Sequence, residues 1–283
     1  MTNSWKPLSL HGWQTEHPAH WDVVVNRGLW DDGYLVLADG RHARVNLTWE
    51  RLKRTPDLDK TLRRLDQRIS KDAGRGRYTL TSVEDILDRG KYMRWVGPDG
   101  DVYGAIIRAV SAPVIFVLRD LEPSDGLHIK RMALACDAYA NDQATTWNLH
   151  GINVELPPHW RLEGLQNLVG LTRAVWMNYP AGDRRAADVL TIRRFAMGSH
   201  ILASVSPEEW LVSHINKGDK IVERQTASDG ITVIKTEITP KGWIRRLRGE
   251  RDSRIFHVWR EDPLDRLVVQ EWRGRGNPLP CLR

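Results

Sequence analysis

A twelve-residue segment occurs almost unchanged in both halves of the chain. Leu10–Trp21 (LHGWQTEHPAHW) returns as Leu149–Trp160 (LHGINVELPPHW), without a gap. Identical residues stand at Leu10/Leu149, His11/His150, Gly12/Gly151, Glu16/Glu155, Pro18/Pro157, His20/His159 and Trp21/Trp160. The separation of 139 residues is close to half of the 283-residue chain, so an internal duplication constrains the architecture before anything else does. A chain of this length accommodates two ordinary domains, and a 41% apolar content gives each a core. The repeat signature consists of Gly12, Pro18, His20 and Trp21, with Gly151, Pro157, His159 and Trp160. The two tryptophans are expected in the core, and His20 and His159 are expected to cap the turn before them.

Each signature leads into a similar succession of elements. In the first half, valine alternation over Trp21–Asn26, then Tyr34–Leu37 and Ala43–Trp49, separated by Asp31-Asp32-Gly33 and Asp39-Gly40, predicts a meander. Pro56 opens a helix through about Lys71, with Leu58, Leu62, Leu65 and Ile69 on one face and basic residues on the other. Strand-like runs follow at Tyr78–Leu80, Tyr92–Val96, Val102–Ala109 and Val114–Leu118, with Pro98-Asp99-Gly100 as a turn. A second helix is expected over Asp125–Tyr139, bridging the halves. The second half repeats the pattern: two strands over Trp160–Asn178 turning near Gly164 or Gly170, a third at Ala187–Ala196, then a helix opened by Ser206-Pro207-Glu208-Glu209 and closed by Gly218. Five more strands are expected, at Lys220–Thr226, Ile231–Thr239, Trp243–Leu247, Arg254–Arg260 and Leu267–Trp272.

The fold class expected is therefore α+β: two fused, duplicated antiparallel β-sheet domains, each with one main helix packed on a sheet face. The domains are read as a first repeat over 1–122, a bridging helix and linker over 123–146, and a second repeat over 147–283. Trp147, Gly151, Leu156, Pro157, Trp160 and Leu162, ahead of a meander, a helix and more strands, resemble the PsbP-like fold. That resemblance implies a fold used largely by accessory and binding proteins without intrinsic catalysis. Its motif is a structural corner and carries no functional residue over.

Residue chemistry constrains function less. No apolar run approaches the roughly eighteen residues of a membrane span, and the two cysteines, Cys136 and Cys281, build neither a disulfide framework nor a CxxC site. The expectation is a cytoplasmic protein that is not inserted in a membrane. His11, His17 and His20 match no closed zinc spacing, Cys136 reads as a packing residue, and Gly74-Arg75-Gly76 and Gly274-Arg275-Gly276 lack a nucleotide fingerprint. No catalytic, cofactor or metal residue is assigned. The net charge of +6 leaves acidic partners open. Basic residues line the first helix (Arg63, Arg64, Arg68, Lys71), and a C-terminal patch of Lys241, Trp243, Arg245, Arg246, Arg248, Trp272 and Arg273 interleaves cations with indoles, as single-strand binders do. The reading is a non-catalytic tandem-repeat accessory or adaptor protein that binds another protein. Nucleic-acid binding through the C-terminal patch is the alternative, and an enzyme with a cleft between repeats is third.

Overall fold

The computed structural model describes residues 4–70, 78–140, 143–180, 187–215, 219–227, 230–238 and 252–274. The chain divides into two compact units, Met1–Pro158 and His159–Arg283.

The first unit opens with a hairpin of β1 (Trp5–Leu10) and β2 (Trp13–Pro18), and the meander β3 (Asp22–Gly28), β4 (Asp32–Ala38) and β5 (Ala43–Arg51) follows. Next come α1 (Leu58–Ser70), β6 (Thr79–Ile86), β7 (Gly90–Gly97), β8 (Gly100–Arg108) and β9 (Val114–Asp120). The unit closes with α2 (Leu127–Ala135), β10 (Asp137–Ala138) and a second hairpin of β11 (Thr145–Leu149) and β12 (Ile152–Leu156). Seven of these strands form one antiparallel sheet in the order β3-β4-β5-β9-β8-β7-β6. The others form a second sheet, β10-β2-β1-β11-β12.

That second sheet gives the repeat signature a structural meaning that the sequence did not suggest. Leu10 pairs with Trp13 and Leu149 with Ile152, so His11-Gly12 and His150-Gly151 are two-residue hairpin turns. All four residues have positive φ, between 49° and 74°, the backbone of a type I′ turn. Ser9 pairs with Asn148, its own equivalent 139 residues on. A local pseudo-twofold axis thus runs between β1 and β11. The signature is not only a corner ahead of the meander; each copy opens on a hairpin turn directly after the strand that pairs main chain to main chain with the other copy's.

The seven-stranded sheet is covered on both faces. On one face Trp49 and Phe116 meet Trp13 of the small sheet, with ring centroids 5.2 and 5.9 Å apart, while α2 packs on β2, β8 and β9. The segment expected to bridge the halves thus holds a helix seated in the first unit. On the other face α1 presents the predicted Leu58, Leu62, Leu65 and Ile69 to a cluster containing Met93, Trp95 and Ile106. Asp66 accepts a 2.9 Å bond from the Trp95 indole and pins helix to sheet. Because α1 packs on β7 and β8, the β4-β5 side of that face lies beside it.

The second unit has β13 (Trp160–Leu168), β14 (Leu171–Asn178) and β15 (Asp188–Ala196), the short α3 (Gly198–Ile201) and α4 (Pro207–His214), then β16 (Asp219–Thr226), β17 (Thr232–Ile238), β18 (Asp252–Glu261) and β19 (Arg266–Gly274). Its sheet order, β13-β14-β15-β19-β18-β17-β16, reproduces that of the first unit strand for strand. The helix between third and fourth strands recurs as well. Each half is thus an antiparallel sheet with its main helix on one face, as expected. Of the two turn positions proposed for the first hairpin here, Gly170 is the turn, with φ 80°, and Gly164 sits at a bulge in β13. Helix α4 carries the predicted start: Ser206 accepts from the Glu209 amide at 3.2 Å, and Glu209 returns the bond to the Ser206 amide at 2.8 Å. Gly218 and the expected strand Trp243–Leu247 lie outside the described residues.

Candidate functional site

The described surface has a wide groove beside α1. Asp57 caps this helix by accepting the Lys60 amide at 3.0 Å, and that bond, with the Arg63 and Lys60 charges, holds its carboxyl below the usual range. With the apolar stripe fixed on the sheet, Lys60, Arg64 and Arg68 fall on one exposed flank at intervals of four residues. They form one wall of a groove of about 720 Å³. The floor is Leu65, Ile115 and Val117, and the sheet wall carries Asp31, Asp32, Tyr34, Thr48 and Glu50. Asp32 and Glu50 face each other in register across β4 and β5, an arrangement that costs energy unless a cation comes between them. Among the described residues, neither the three cations nor Asp31, Asp32 and Glu50 make an ion pair.

The second repeat has a groove in the equivalent place and fills it with its own side chains. Thr48 pairs opposite Val117 in the first sheet and Arg193 opposite Val269 in the second, so Thr48 and Arg193 occupy the same register position, as do Glu50 and Phe195. Arg193 binds Glu271 at 2.8 Å, and Arg254 binds Asp219 at 2.7 Å and Glu271 at 3.5 Å. Trp210 stands edge-on to Phe195, at 5.3 Å, and stacks on His214, at 4.1 Å. About 340 Å³ remains. One scaffold thus holds an open groove whose wall charges make no ion pair among the described residues and a smaller one whose charges satisfy each other.

The buried titratable groups elsewhere are tied into structure. His11 is 2% exposed, stacked on Trp49 at 5.3 Å and edge-on to Trp147 at 5.7 Å. Burial and then the Arg51 charge lower its pKa to about 3. Arg51 itself donates to the His11 and Gly12 carbonyls at 3.2 and 3.0 Å and clamps the signature turn. His17 is lowered to about 4, chiefly by burial. Asp120 accepts from Ser124 at 2.5 Å and from the Tyr103 amide at 3.2 Å, and lies 2.6 Å from His128. Serine and histidine both bind the carboxylate and not each other, so this is an anchor for the start of α2, not a nucleophile–base pair. Cys136 is fully buried and its thiol is pushed up to about 12, which suits packing.

The residues singled out from sequence are distributed as follows. Trp21 and Trp160 are buried, at 6% and 4% exposure, as expected of the signature. His20 and His159 are exposed, Pro18 is buried and Pro157 exposed. Lys241, Trp243, Arg245, Arg246 and Arg248 lie outside the described residues. Trp272 corrects the expected C-terminal patch: it is 1% exposed in β19, a strand with neighbours on both sides, and offers no ring for a base to stack on. Arg273, beside it, is exposed. The α1 groove was visible in sequence only as the basic stripe of a helix; its other wall comes from strands distant in sequence.

Comparison with known proteins gives one weak resemblance. No family model matches the chain, and no curated protein does. The solution structure of cyanobacterial PsbP (CyanoP) from Synechocystis sp. PCC 6803 is similar at 11% identity and a TM-score of 0.36, over 49% of this chain and 95% of that one. This is a weak structural resemblance to the PsbP-like fold. No described helix is long and apolar enough to cross a membrane.

Proposed function

We propose that the chain is a non-catalytic tandem-repeat accessory protein that binds another protein through the groove beside α1. The observation that carries this reading is the contrast between the two equivalent grooves. The second is narrowed by the chain's own arginine–carboxylate pairs and aromatic rings, whereas the first keeps an apolar floor between charges that make no ion pair among the described residues. An apolar floor with a polar rim is how a protein-binding surface is built. The buried ionisable groups near Asp120 and His11 already serve packing and anchoring, which supports a binding role over catalysis. The cysteine economy of the chain supports a reducing compartment, the cytoplasm.

The test is capture from an extract of the source cells by the immobilised intact chain, compared with a Thr48→Trp variant that fills the groove as aromatic residues fill the second. A protein retained by the wild type and lost with Thr48→Trp is the expected result. Retention of the same proteins by both, or of nucleic acid alone, overturns the reading.

A further inference from the structure

The charges around the first groove specify more than a generic partner. The flank of α1 offers Lys60, Arg64 and Arg68, with Asp57 at its start engaged by the Lys60 amide, and the facing sheet wall offers Asp31, Asp32 and Glu50, with Arg51 engaged by the His11 and Gly12 carbonyls. A ligand seated there must be acidic on one side and not on the other.

We infer that the groove binds an extended peptide with carboxylates at alternate positions and apolar side chains between them. This deepens the protein-binding reading and rests on it. Along α1 the cations recur every four residues, about 6 Å apart on the helix axis. Same-side residues of an extended strand recur about every 6.6 Å. Three alternate carboxylates therefore stay in step with Lys60, Arg64 and Arg68, and the intervening side chains point away from that wall, free to cover Leu65, Ile115 and Val117. A polyanion charged on every side, such as a single-stranded nucleic acid, would press phosphates against Asp32 and Glu50, which already oppose each other.

The second repeat supplies an internal template for the same chemistry. In the equivalent space Trp210 packs on Phe195, and the carboxylates Glu271 and Asp219 answer Arg193 and Arg254. Apolar side chains and acids are what that repeat provides from its own chain. In the first groove no acid answers Lys60, Arg64 or Arg68 among the described residues, and no aromatic ring of α1 covers the floor.

Fluorescence anisotropy of the intact chain with labelled Glu-Val-Glu-Val-Glu-Val, its lysine counterpart and a short oligothymidylate at low salt tests the inference. The acidic peptide should bind, more weakly as salt rises. Lys60→Glu, Arg64→Glu and Arg68→Glu together should weaken it at least about tenfold, the effect of three exposed charge pairs turned repulsive. All three side chains are exposed, and an unchanged circular dichroism spectrum confirms that the variant is folded. Arg63→Glu, an exposed cation on α1 outside the groove, should change binding less than about twofold. Equal binding by the triple variant, or preference for the oligothymidylate, overturns the inference. Failure of the peptide while Thr48→Trp still releases a captured protein overturns the acidic strand alone; failure of both removes the protein-binding reading with it.

Discussion

Replacing His11 by phenylalanine should flatten the acid side of the stability profile. The imidazole is 2% exposed, and neither ring nitrogen has a hydrogen-bond partner among the described residues. Its folded pKa is lowered from 6.5 to about 3, first by burial and second by Arg51. Below pH 6.5 the unfolded chain binds a proton that the native state refuses. The stabilisation is therefore complete above about pH 6.5 and is lost as pH falls toward 3. Each pH unit inside this window costs about 1.4 kcal/mol, and the whole window about 5 kcal/mol. Between pH 6 and pH 4 the loss integrates to about 2.5 kcal/mol. Phenylalanine keeps a ring against Trp49 and Trp147 and removes two unsatisfied nitrogens, against about 1 kcal/mol for placing it at a φ of 49°. His17, lowered to about 4, contributes a parallel slope that is the same in both proteins. Urea titrations at pH 7, 6, 5 and 4, followed by tryptophan fluorescence, should show the wild type losing about 2.5 kcal/mol more than His11→Phe between pH 6 and 4. Equal losses would mean that the native ring takes up its proton freely, and would refute the argument from burial.

Four other perturbations follow from single contacts. Asp66→Ala leaves the buried Trp95 indole N–H without its acceptor and should cost about 1–3 kcal/mol in urea unfolding of the first unit. Ser206→Ala breaks the capping box of α4 and should cost about 1 kcal/mol, seen as faster hydrogen exchange at Glu209. Gly12→Ala adds a methyl 2.2 Å from Trp30 Cη2 at a φ of 71°; thermal melts should show a loss of at least about 2 kcal/mol. Cys136, in a Cys281→Ser background, should resist a thiol reagent at pH 8 until the chain is unfolded, because its thiol is pushed up to about 12 and fully buried.

Local chemistry was legible wherever one segment decides its own conformation. The Leu58, Leu62, Leu65 and Ile69 stripe, the Ser206 cap and the Pro98-Asp99 turn between β7 and β8 are each set within a few residues, and each stands where the sequence placed it. The small sheet was not legible. A type I′ turn usually announces itself as Asn-Gly or Asp-Gly, and His-Gly gives no such signal, although histidine tolerates the left-handed region. The pairing of β1 with β11 joins residues 139 apart, and no local pattern encodes it. Trp272 misled for a similar reason. Set between Glu271 and Arg273, it looks like surface, but β19 lies between β15 and β18, and Leu267, Val268, Val269 and Gln270 are buried along with it. Burial on both faces comes from the position of a strand in its sheet, which only the topology reveals.

The two grooves and the two signatures show opposite fates of one duplication, and the difference is physical. In the small sheet, the strand bearing one copy of the signature pairs with the strand bearing the other, Ser9 against Asn148. Positive φ at both turn positions of each copy restricts the choice to residues such as glycine and histidine. Both copies are held to the same answer. The groove positions face no such demand: Thr48 and Arg193 sit in the same register slot, each opposite a valine, yet one side chain leaves its groove open and the other helps to close it through Glu271. The valines pack on the sheet and persist, whereas the residues facing outward are free to be used. A new contact surface in a duplicated scaffold therefore arises most cheaply where α1 and α4 differ. Only the α1 side carries a row of cations still lacking partners among the described residues.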